Sequence, residues 1–252
     1  MTERIVMDLS GHLALITGAG QGIGGACAEM FALRGADLIL LDKNPETLAA
    51  TADKIAPLGR QVVTRALDLT DVEALQQTIK ELKRKGCIDI LVNNAGFDRP
   101  GIIPKISTND FKAVLGIHLV VPFVLIQLLL PDMRKAGWGR IINVSSIYAL
   151  IGAKAEVAYS TAKAGVIGLT KAVAKEAGKD GVTVNAVLPG LTRTPTIETF
   201  MADKYKQPII DNTTMGRMGE AEEIASVIAF LASDEASYIT ATSIPVSGGW
   251  GI

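Results

Sequence analysis

The chain has 252 residues, 48% of them hydrophobic, which is enough apolar content for a substantial core. The 25 Lys and Arg residues against 26 Asp and Glu residues leave a net charge of −1, and no basic block suggests a phosphate backbone as partner. Cys27 and Cys87 lie far apart in sequence, which fits neither a metal-ligand spacing nor a disulfide framework. We therefore expect no metal site, no nucleic-acid partner and a reducing, cytoplasmic location.

The N-terminal stretch MTERIVMDLSGH carries mixed charges and lacks the apolar segment of a secretory signal. Residues 113–130 approach the length of a membrane span, but His118, Pro122 and Gln127 interrupt them and acidic residues lie close on both sides. Such interruptions are expensive inside a bilayer. We interpret this segment as a helix buried inside a soluble protein with no membrane partner.

Short β-rich runs recur between segments of helical length along the whole chain. These runs are HLALIT, DLILLD, QVVTRAL, IDILVNN, GRIINVSS, VTVNAVLP and TSIPVS. Their alternation with helices predicts βαβ units, and their continuous apolar character predicts strands covered on both faces. We expect an α/β fold in which residues 1–252 form one doubly wound Rossmann-type domain with a mostly seven-stranded parallel sheet. Residues 191–219 form the longest irregular stretch and are a candidate substrate lid.

A glycine-rich turn follows the first predicted strand. The sequence TGAGQGIGG occupies residues 17–25, and a helix is predicted from about Cys27. Glycines let a backbone approach a pyrophosphate closely, and the helix N-terminus offers it free N–H groups and a positive dipole end. The strand, turn and helix together predict a dinucleotide site. The turn residues expected to bind the cofactor are Gly18, Gln21, Gly22, Ile23 and Gly24.

Asp42 closes the second predicted strand. A carboxylate at that position can accept hydrogen bonds from the ribose hydroxyls and repel a 2′-phosphate. Gln21 agrees with this preference, since no basic residue in the turn is available to bind an extra phosphate. The sequence predicts NAD as cofactor, although Asp42 taken alone is equally typical of a strand-end turn.

Tyr159 and Lys163 are an i,i+4 pair in the stretch AYSTAKAG and project from one helix face. Taken alone, the pair reads as a surface tyrosine beside a solvated lysine. Other motifs of the chain change that interpretation. They are the Gly18, Gly22 and Gly24 spacing, DL at 68–69, NNAG at 93–96, SS at 145–146, YSTAK at 159–163 and PGLTRT at 189–194.

In order and spacing, these motifs resemble those of the short-chain dehydrogenase/reductase family, and the resemblance covers essentially the whole chain. It implies that Asp68 and Leu69 border the adenine of the cofactor and that Asn94 lies on its ribose side. It also implies that Thr192 and Thr194 meet the nicotinamide end.

The resemblance makes Ser146 the catalytic serine, with Tyr159 as acid/base and Lys163 as its partner. A tyrosine of pKa near 10 needs about 4 kcal/mol to release its proton at pH 7. An ammonium at roughly 4 Å supplies a comparable amount at an effective dielectric of about 20. We therefore expect Lys163 to tune Tyr159. Ser146 ends an apolar strand, at the sheet edge where such folds bind their ligands.

His118 departs from the family pattern, which usually has asparagine at this position to anchor a water that links the active-site lysine to solvent. Some 3-hydroxyacyl-thioester dehydrogenases are similar in carrying histidine there. A neutral imidazole also offers one donor and one acceptor, so we include His118 among the catalytic candidates. The alternative is a core histidine that only packs.

Several neighbours of the motifs have two interpretations each. Arg99 and Arg193 would bind an anionic substrate group or remain solvated loop arginines. Phe97, Tyr148 and Leu191 would contribute pocket wall or ordinary core.

The sequence as a whole predicts an NAD(H)-dependent oxidoreductase that interconverts a secondary alcohol and a ketone through the serine, tyrosine and lysine. The enzyme alternative is a 3-oxoacyl-thioester reductase or 3-hydroxyacyl-CoA dehydrogenase, and the non-enzyme alternative is a catalytically silent nucleotide sensor. Helices predicted at 107–135 and 153–179 carry apolar or small residues around most of their circumference, which indicates a homotetramer.

Overall fold

Seven parallel strands form the central sheet. The computed structural model describes residues 7–84 and 86–252. Seven strands of the described residues belong to this sheet and two lie outside it. In chain order they are β1 (Leu13–Thr17), β2 (Asp37–Asp42), β3 (Val62–Ala66), β4 (Ile90–Asn93), β5 (Gly139–Val144), β6 (Val182–Pro189), β7 (Thr192–Arg193), β8 (Gly219–Glu220) and β9 (Ser243–Val246). The sheet has the order β3-β2-β1-β4-β5-β6-β9, and β7 pairs separately with β8. Every predicted apolar run is a strand of this sheet, so the predicted α/β class is confirmed.

Helices cover both faces of the sheet. They are α1 (Gly22–Leu33), α2 (Pro45–Ile55), α3 (Val72–Lys83), α4 (Thr108–Leu115), α5 (Val121–Ala136), α6 (Tyr148–Ile151), α7 (Val157–Ala177), α8 (Pro195–Phe200), α9 (Asp203–Asp211) and α10 (Ala221–Ala232). One core lies between the sheet and α1, α2 and α10, and a second lies between the sheet and α3, α5 and α7. Both faces of the strands are therefore buried, which explains their continuous apolar sequences.

The strand order reverses between β1 and β4. The chain runs from β1 outward to β2 and β3 on one side and returns to β4 on the other. The loops after β1 and β4 consequently leave the sheet in opposite directions and open a crevice at the carboxyl ends of the strands. This is where open α/β sheets bind their ligands.

The apolar segment near residue 118 belongs to one long helical run. Helix α4 continues through the π-helical turn Gly116–Val120 into α5. The run Thr108–Ala136 has the length and mean hydropathy, 2.5, of a possible membrane span, and half of its apolar window is buried inside the protein. Ile117, Leu125 and Leu129 of this run lie in the core beneath the sheet, in agreement with the interpretation as a core helix.

Two sequence expectations about element boundaries need correction. Helix α1 begins at Gly22 and not at Cys27, because the last glycines of the turn already have helical geometry. The stretch 191–219 is not irregular: β7 and β8 pair at its two ends, and α8 and α9 lie between them. Short helices with prolines and few apolar residues carry a weak helical signal, which hid them in the sequence.

Candidate active site

A cavity of about 530 Å³ opens at the carboxyl ends of the central strands. It extends from Asp42 at the end of β2 to Ser146 after β5 and Ile209 in α9. All the predicted site residues except Gly24 line it. They are Gly18, Gln21, Gly22, Ile23, Asp42, Asp68, Leu69, Asn94, His118, Ser146, Tyr159, Lys163, Thr192 and Thr194.

The glycine turn leaves no room for side chains. A Cβ on Gly18, which has φ +65°, would lie 2.9 Å from the Cα of Ala95. Gly24 lies beneath the turn instead of on the cavity wall, and a Cβ there would collide with the carbonyl oxygen of Gly18. No side chain caps the N-terminus of α1, whose N-cap residue is Gln21. The N–H groups of the first helical turn are thus available to an anion, as a pyrophosphate requires.

Asp42 is held rigidly beside this turn. One carboxylate oxygen accepts from the backbone N–H of Gly20 at 2.9 Å, and the other accepts from the N–H of Asn44 at 3.0 Å. Each oxygen keeps a further lone pair for a ligand hydroxyl. Asp42 can therefore accept hydrogen bonds from ligand hydroxyls with both oxygens.

Asp68 lies on the same wall and is strongly paired. It accepts from Lys43 Nζ at 2.8 Å and from the hydroxyl of Thr70 at 2.6 Å. The Lys43 hydrogen bond, followed by the Thr70 bonds, lowers the pKa of Asp68 to about 2. Leu69 beside it is buried and apolar. A charged edge next to an apolar surface fits the rim and face of an adenine ring.

Asn94 and Thr17 join the glycine turn to β4. The amide nitrogen of Asn94 donates to the carbonyl oxygens of Thr17 and Gly18 at 3.0 and 3.2 Å. The Thr17 hydroxyl accepts the backbone N–H groups of Asn94 and Ala95 at 3.0 Å each. Asn94 therefore supports the turn directly, a positioning role that the family resemblance did not imply.

The threonines after β6 face the other end of the cavity. Thr192 donates to the carbonyl oxygen of Gly190 at 3.1 Å, and Thr194 caps α8 by accepting the N–H of Ile197 at 3.3 Å. Gln21 of the glycine turn donates to Thr196 at 3.3 Å. The segment after β6 thus contacts both the turn and the cavity.

Ser146, Tyr159 and Lys163 meet where β5 ends and α7 passes over it. Ser146 and Tyr159 line the same part of the cavity, and the Ser146 Oγ accepts the backbone N–H of Tyr148 at 3.2 Å. Lys163 Nζ lies 5.5 Å from the Tyr159 ring centre and donates to the carbonyl oxygen of Val144 at 2.6 Å. The Ser145 hydroxyl donates to the carbonyl oxygen of Lys163 at 2.8 Å and holds α7 against β5.

The pKa values of this cluster differ from the sequence expectation. Burial is the largest influence on Tyr159 and raises its pKa above 10, while the Ser146 hydrogen bond lowers it and the carboxylates of Asp98 and Glu156 raise it further. Burial also lowers the pKa of Lys163 to about 7. In the protein alone, desolvation therefore outweighs the expected tuning of Tyr159 by Lys163, because both groups are far from bulk water.

His118 lies against Tyr159 inside the π-helical turn. It is 4% exposed, and the two rings meet edge to face with centres 5.1 Å apart. Its Nε2 is 2.8 Å from the carbonyl oxygen of Phe97 and must donate to it, so neutral His118 presents Nδ1 as an acceptor. Among the described side chains no donor reaches this Nδ1. Burial, followed by the Lys163 ammonium, holds the pKa of His118 well below 6.5.

Neither candidate arginine lines the cavity. Arg99 Nε is 3.8 Å from a carboxylate oxygen of Asp110, and its guanidinium lies 5.2 Å from the Phe97 ring centre. Arg193 binds Glu198 at 2.6 Å and Glu220 at 3.2 Å. Phe97, Tyr148 and Leu191 do line the cavity, as the pocket-wall interpretation predicts.

The wall residues that sequence reasoning missed include Asp98, Glu156 and Trp250. Asp98 follows the NNAG motif and Glu156 directly precedes α7, so their closeness to motif residues was a usable signal. Trp250 comes from the C-terminal segment, which only the fold brings to the site. Within residues 7–84 and 86–252, no three His, Cys, Asp or Glu side chains are grouped closely enough to hold a metal ion.

Comparisons with known proteins agree with this geometry. The family model described as enoyl-(acyl carrier protein) reductase matches residues 18–251. A 3-oxoacyl-[acyl-carrier-protein] reductase from Thermotoga maritima is 38% identical over 96% of this chain and 99% of its own length.

Two solved structures extend the comparison. A 7α-hydroxysteroid dehydrogenase with NADH and a 7-oxo bile acid has a TM-score of 0.93 at 31% identity, over 97% of this chain and 96% of its own. A structure from Beutenbergia cavernae with bound NADP also has a TM-score of 0.93, at 33% identity over 97% of this chain and 98% of its own. The chain belongs to the short-chain dehydrogenase/reductase family and is an oxidoreductase of hydroxyl and keto groups.

Proposed function

We propose that this enzyme interconverts a secondary alcohol and a ketone with NAD(H), using Ser146, Tyr159 and Lys163. The observation that carries the proposal is that Ser146, Tyr159 and Lys163 lie together on the wall of a cavity that continues to the glycine turn. A reacting hydroxyl placed between Ser146 and Tyr159 is within reach of both an acid/base and a hydrogen-bond donor.

In the oxidation, the proton of the substrate hydroxyl passes to Tyr159, and the carbinol C–H bond breaks with both electrons leaving as hydride. NAD would be held by the glycine turn and Asp42 and would supply the hydride acceptor, which gives ketone, NADH and one proton as the balanced products. Ser146 donates a hydrogen bond to the oxygen as negative charge develops on it. Charged Lys163 stabilises a deprotonated Tyr159, and His118 Nδ1 accepts a hydrogen bond from a water that links Lys163 to solvent.

Three features support NAD over NADP. Asp42 faces the cofactor site with both oxygens fixed by backbone amides. Lys43, the basic residue nearest to it in sequence, is engaged with Asp68. The neutral residue Gln21 lines the cavity in the glycine turn, where a cation would be needed to bind the 2′-phosphate of NADP. Because related structures hold either NADH or NADP, this preference needs a direct test.

A 3-oxoacyl thioester is the second candidate substrate class. Similarity to 3-oxoacyl-[acyl-carrier-protein] reductases, for example the Thermotoga maritima protein, favours it. A carrier-linked or CoA-linked substrate brings phosphate groups that need cations at the mouth of the cavity. Arg99 and Arg193 are instead paired with carboxylates outside it, so neither arginine is placed to bind such a phosphate.

The proposal extends to assembly and to the segment 191–219. Val120 and Phe123 are apolar and about half exposed on the long helix, and a groove between α5 and α7 continues this surface. We assign it to pairing across two-fold axes in a cytoplasmic homotetramer. Residues 191–219, with α8 and α9, act as the lid over the substrate.

A substrate panel tests the proposal. Purified enzyme with NAD is offered secondary alcohols, sugars and 3-hydroxyacyl-CoA thioesters, and NADH formation is followed. Turnover of an alcohol supports the main function, and turnover of thioesters alone supports the second candidate. No NADH or NADPH from any member, by a protein shown to bind the cofactor, would overturn both.

A further inference from the structure

Two carboxyl groups lie on the substrate side of the cavity, close to the reacting tyrosine. Asp98 comes from the loop after β4, and Glu156 is the residue before α7. A backbone bridge between Gly101 and Glu156, with the Gly101 N–H donating to Ala155 at 2.7 Å, joins the two segments. Both side chains line the cavity. We call Asp98 and Glu156 the carboxyl pair.

The carboxyl pair carries a negative charge that the described residues do not neutralise. The Asp98 carboxylate lies close enough to Glu156 to raise its pKa, and one proton held between the two groups leaves one net negative charge. Burial, then the hydrogen bond and charge of Asp98, raise the pKa of Glu156 to about 8. None of the ion pairs found among residues 7–84 and 86–252 includes either carboxylate.

A structural role does not account for the carboxyl pair. Glu156 occupies the N-cap position of α7, yet no backbone N–H of the helix donates to its side chain. Its Oε2 is buried and accepts no hydrogen bond from any described donor. One proton held between the two groups still leaves a half-buried negative charge that no described cation offsets, and such a charge is costly, which indicates that its partner comes with the ligand.

Two aromatic rings line the same cavity as the carboxyl pair. Tyr148 and Trp250 line the same cavity and meet edge to face with ring centres 5.4 Å apart. The charges of Glu156 and Asp98 act on Tyr148, whose pKa is raised by burial first and by these two carboxylates next. Aromatic faces attract cations, and quaternary ammonium groups are bound in this way by aromatic side chains.

We propose that Asp98 and Glu156, with the rings of Tyr148 and Trp250, select a secondary alcohol or ketone that carries a positively charged ammonium group. This inference rests on the proposed function, because it names the substrate class of the same site. The Phe97 ring is not available to such a cation, because the Arg99 guanidinium already lies over it.

The charge of such a substrate would also act on the chemistry. Asp98 and Glu156 both raise the pKa of Tyr159, and this disfavours the tyrosinate that oxidation requires. An ammonium group beside the carboxyl pair offsets that influence. We therefore expect a cationic substrate to have a higher kcat and a lower KM than a neutral one. An anionic substrate should have a lower kcat and a higher KM.

Three alcohols that differ in charge test the inference. They are (2-hydroxypropyl)trimethylammonium, its neutral carbon isostere 4,4-dimethylpentan-2-ol, and the anion 3-hydroxybutanoate. We expect kcat/KM for the cation to exceed that for the neutral isostere by about thirtyfold, the size of a desolvated cation–aromatic contact. The anion should be the poorest substrate. Calorimetry with the enzyme loaded with NADH measures binding of the same alcohols independently of turnover.

Matched variants locate the effect. In Asp98→Asn/Glu156→Gln the ratio of cation to neutral isostere should fall to within about threefold, since the charge is removed while the shape is kept. The control Asp53→Asn/Glu222→Gln removes two exposed carboxylates that do not line the cavity. The control should keep the wild-type ratio of cation to neutral isostere. That result would show that the preference depends on charge at the cavity and not on the net charge of the protein.

The outcomes distinguish the inference from the proposed function. Turnover of the neutral alcohol at a rate equal to the cation, or an unchanged ratio in the carboxyl-pair variant, overturns the inference and leaves the oxidoreductase function standing. If none of the alcohols yields NADH, the proposed function fails for them. The calorimetric preference then decides the inference, and equal dissociation constants for the cation and its isostere overturn it.

Discussion

His118 donates from Nε2 to the carbonyl oxygen of Phe97 at 2.8 Å, and this bond fixes which nitrogen is left to accept a proton. The ring also occupies the space above Gly96, where any Cβ would collide with it. Since Nδ1 meets no described donor and Lys163 is close enough to lower the pKa of His118, the geometry allows a water-mediated link between them.

His118→Asn should therefore stay active, because the amide also offers a donor and an acceptor. His118→Leu should lower kcat by roughly ten- to a hundredfold. With the pKa of His118 held well below 6.5, the wild-type acidic limb attributable to this ring should begin below pH 6.5 and be missing in His118→Asn. The pH dependence of kcat measures both effects.

A packing role for His118 makes the opposite prediction. His118→Leu would then melt at the wild-type temperature or above and keep its full kcat from about pH 6 to pH 9. A proton relay through His118 predicts instead that kcat falls over this range when the imidazole is removed.

Cofactor preference should depend on Asp42. In Asp42→Ala the ribose acceptor and the repulsion of a 2′-phosphate disappear together, so the ratio of kcat/KM for NAD to that for NADP should fall by at least about tenfold. Steady-state kinetics with both cofactors checks this. The same ratio in wild type and variant would show that Asp42 only anchors Gly20 and Asn44.

The fold and the grouping of most candidate site residues around one cavity were predictable from sequence because their signals are local. A buried parallel strand is a continuous apolar run, and a glycine turn between strand and helix is contiguous. Trp250 and the carboxyl pair were not, since they reach the cavity only through tertiary contacts. The raised pKa of Tyr159 was not predicted, because the charge of Lys163 is visible in the sequence whereas the burial of both groups arises only in the fold.

The buried ammonium of Lys163 should destabilise the protein in the absence of cofactor. Its pKa of about 7 in the fold lies below the ordinary value of 10.5, so the unfolded chain binds more protons between these values and stability rises with pH across that window. Lys163→Met should raise Tm at pH 6.5 by roughly 3–6 °C, a gain that shrinks toward pH 10. Differential scanning calorimetry over this range decides the sign, and a gain that grows with pH would contradict it.

Assembly should depend on the apolar surface of α5. Light scattering at micromolar concentration should give the mass of a homotetramer, and Phe123→Glu should yield smaller species, because it buries a charge in the proposed interface. Leu33→Glu is the control, as Leu33 is 63% exposed on α1, away from that surface. A wild-type monomer would refute the assignment of this surface to self-association.

The role of Tyr159 as acid/base is the central claim, and Tyr159→Phe tests it most directly. The variant removes the hydroxyl proposed to exchange the proton and keeps the ring that packs on His118. With an alcohol that the wild type oxidises, kcat should fall by at least about a hundredfold, while the dissociation constant of NADH measured by fluorescence stays within about threefold. Retention of wild-type kcat by Tyr159→Phe would contradict the account.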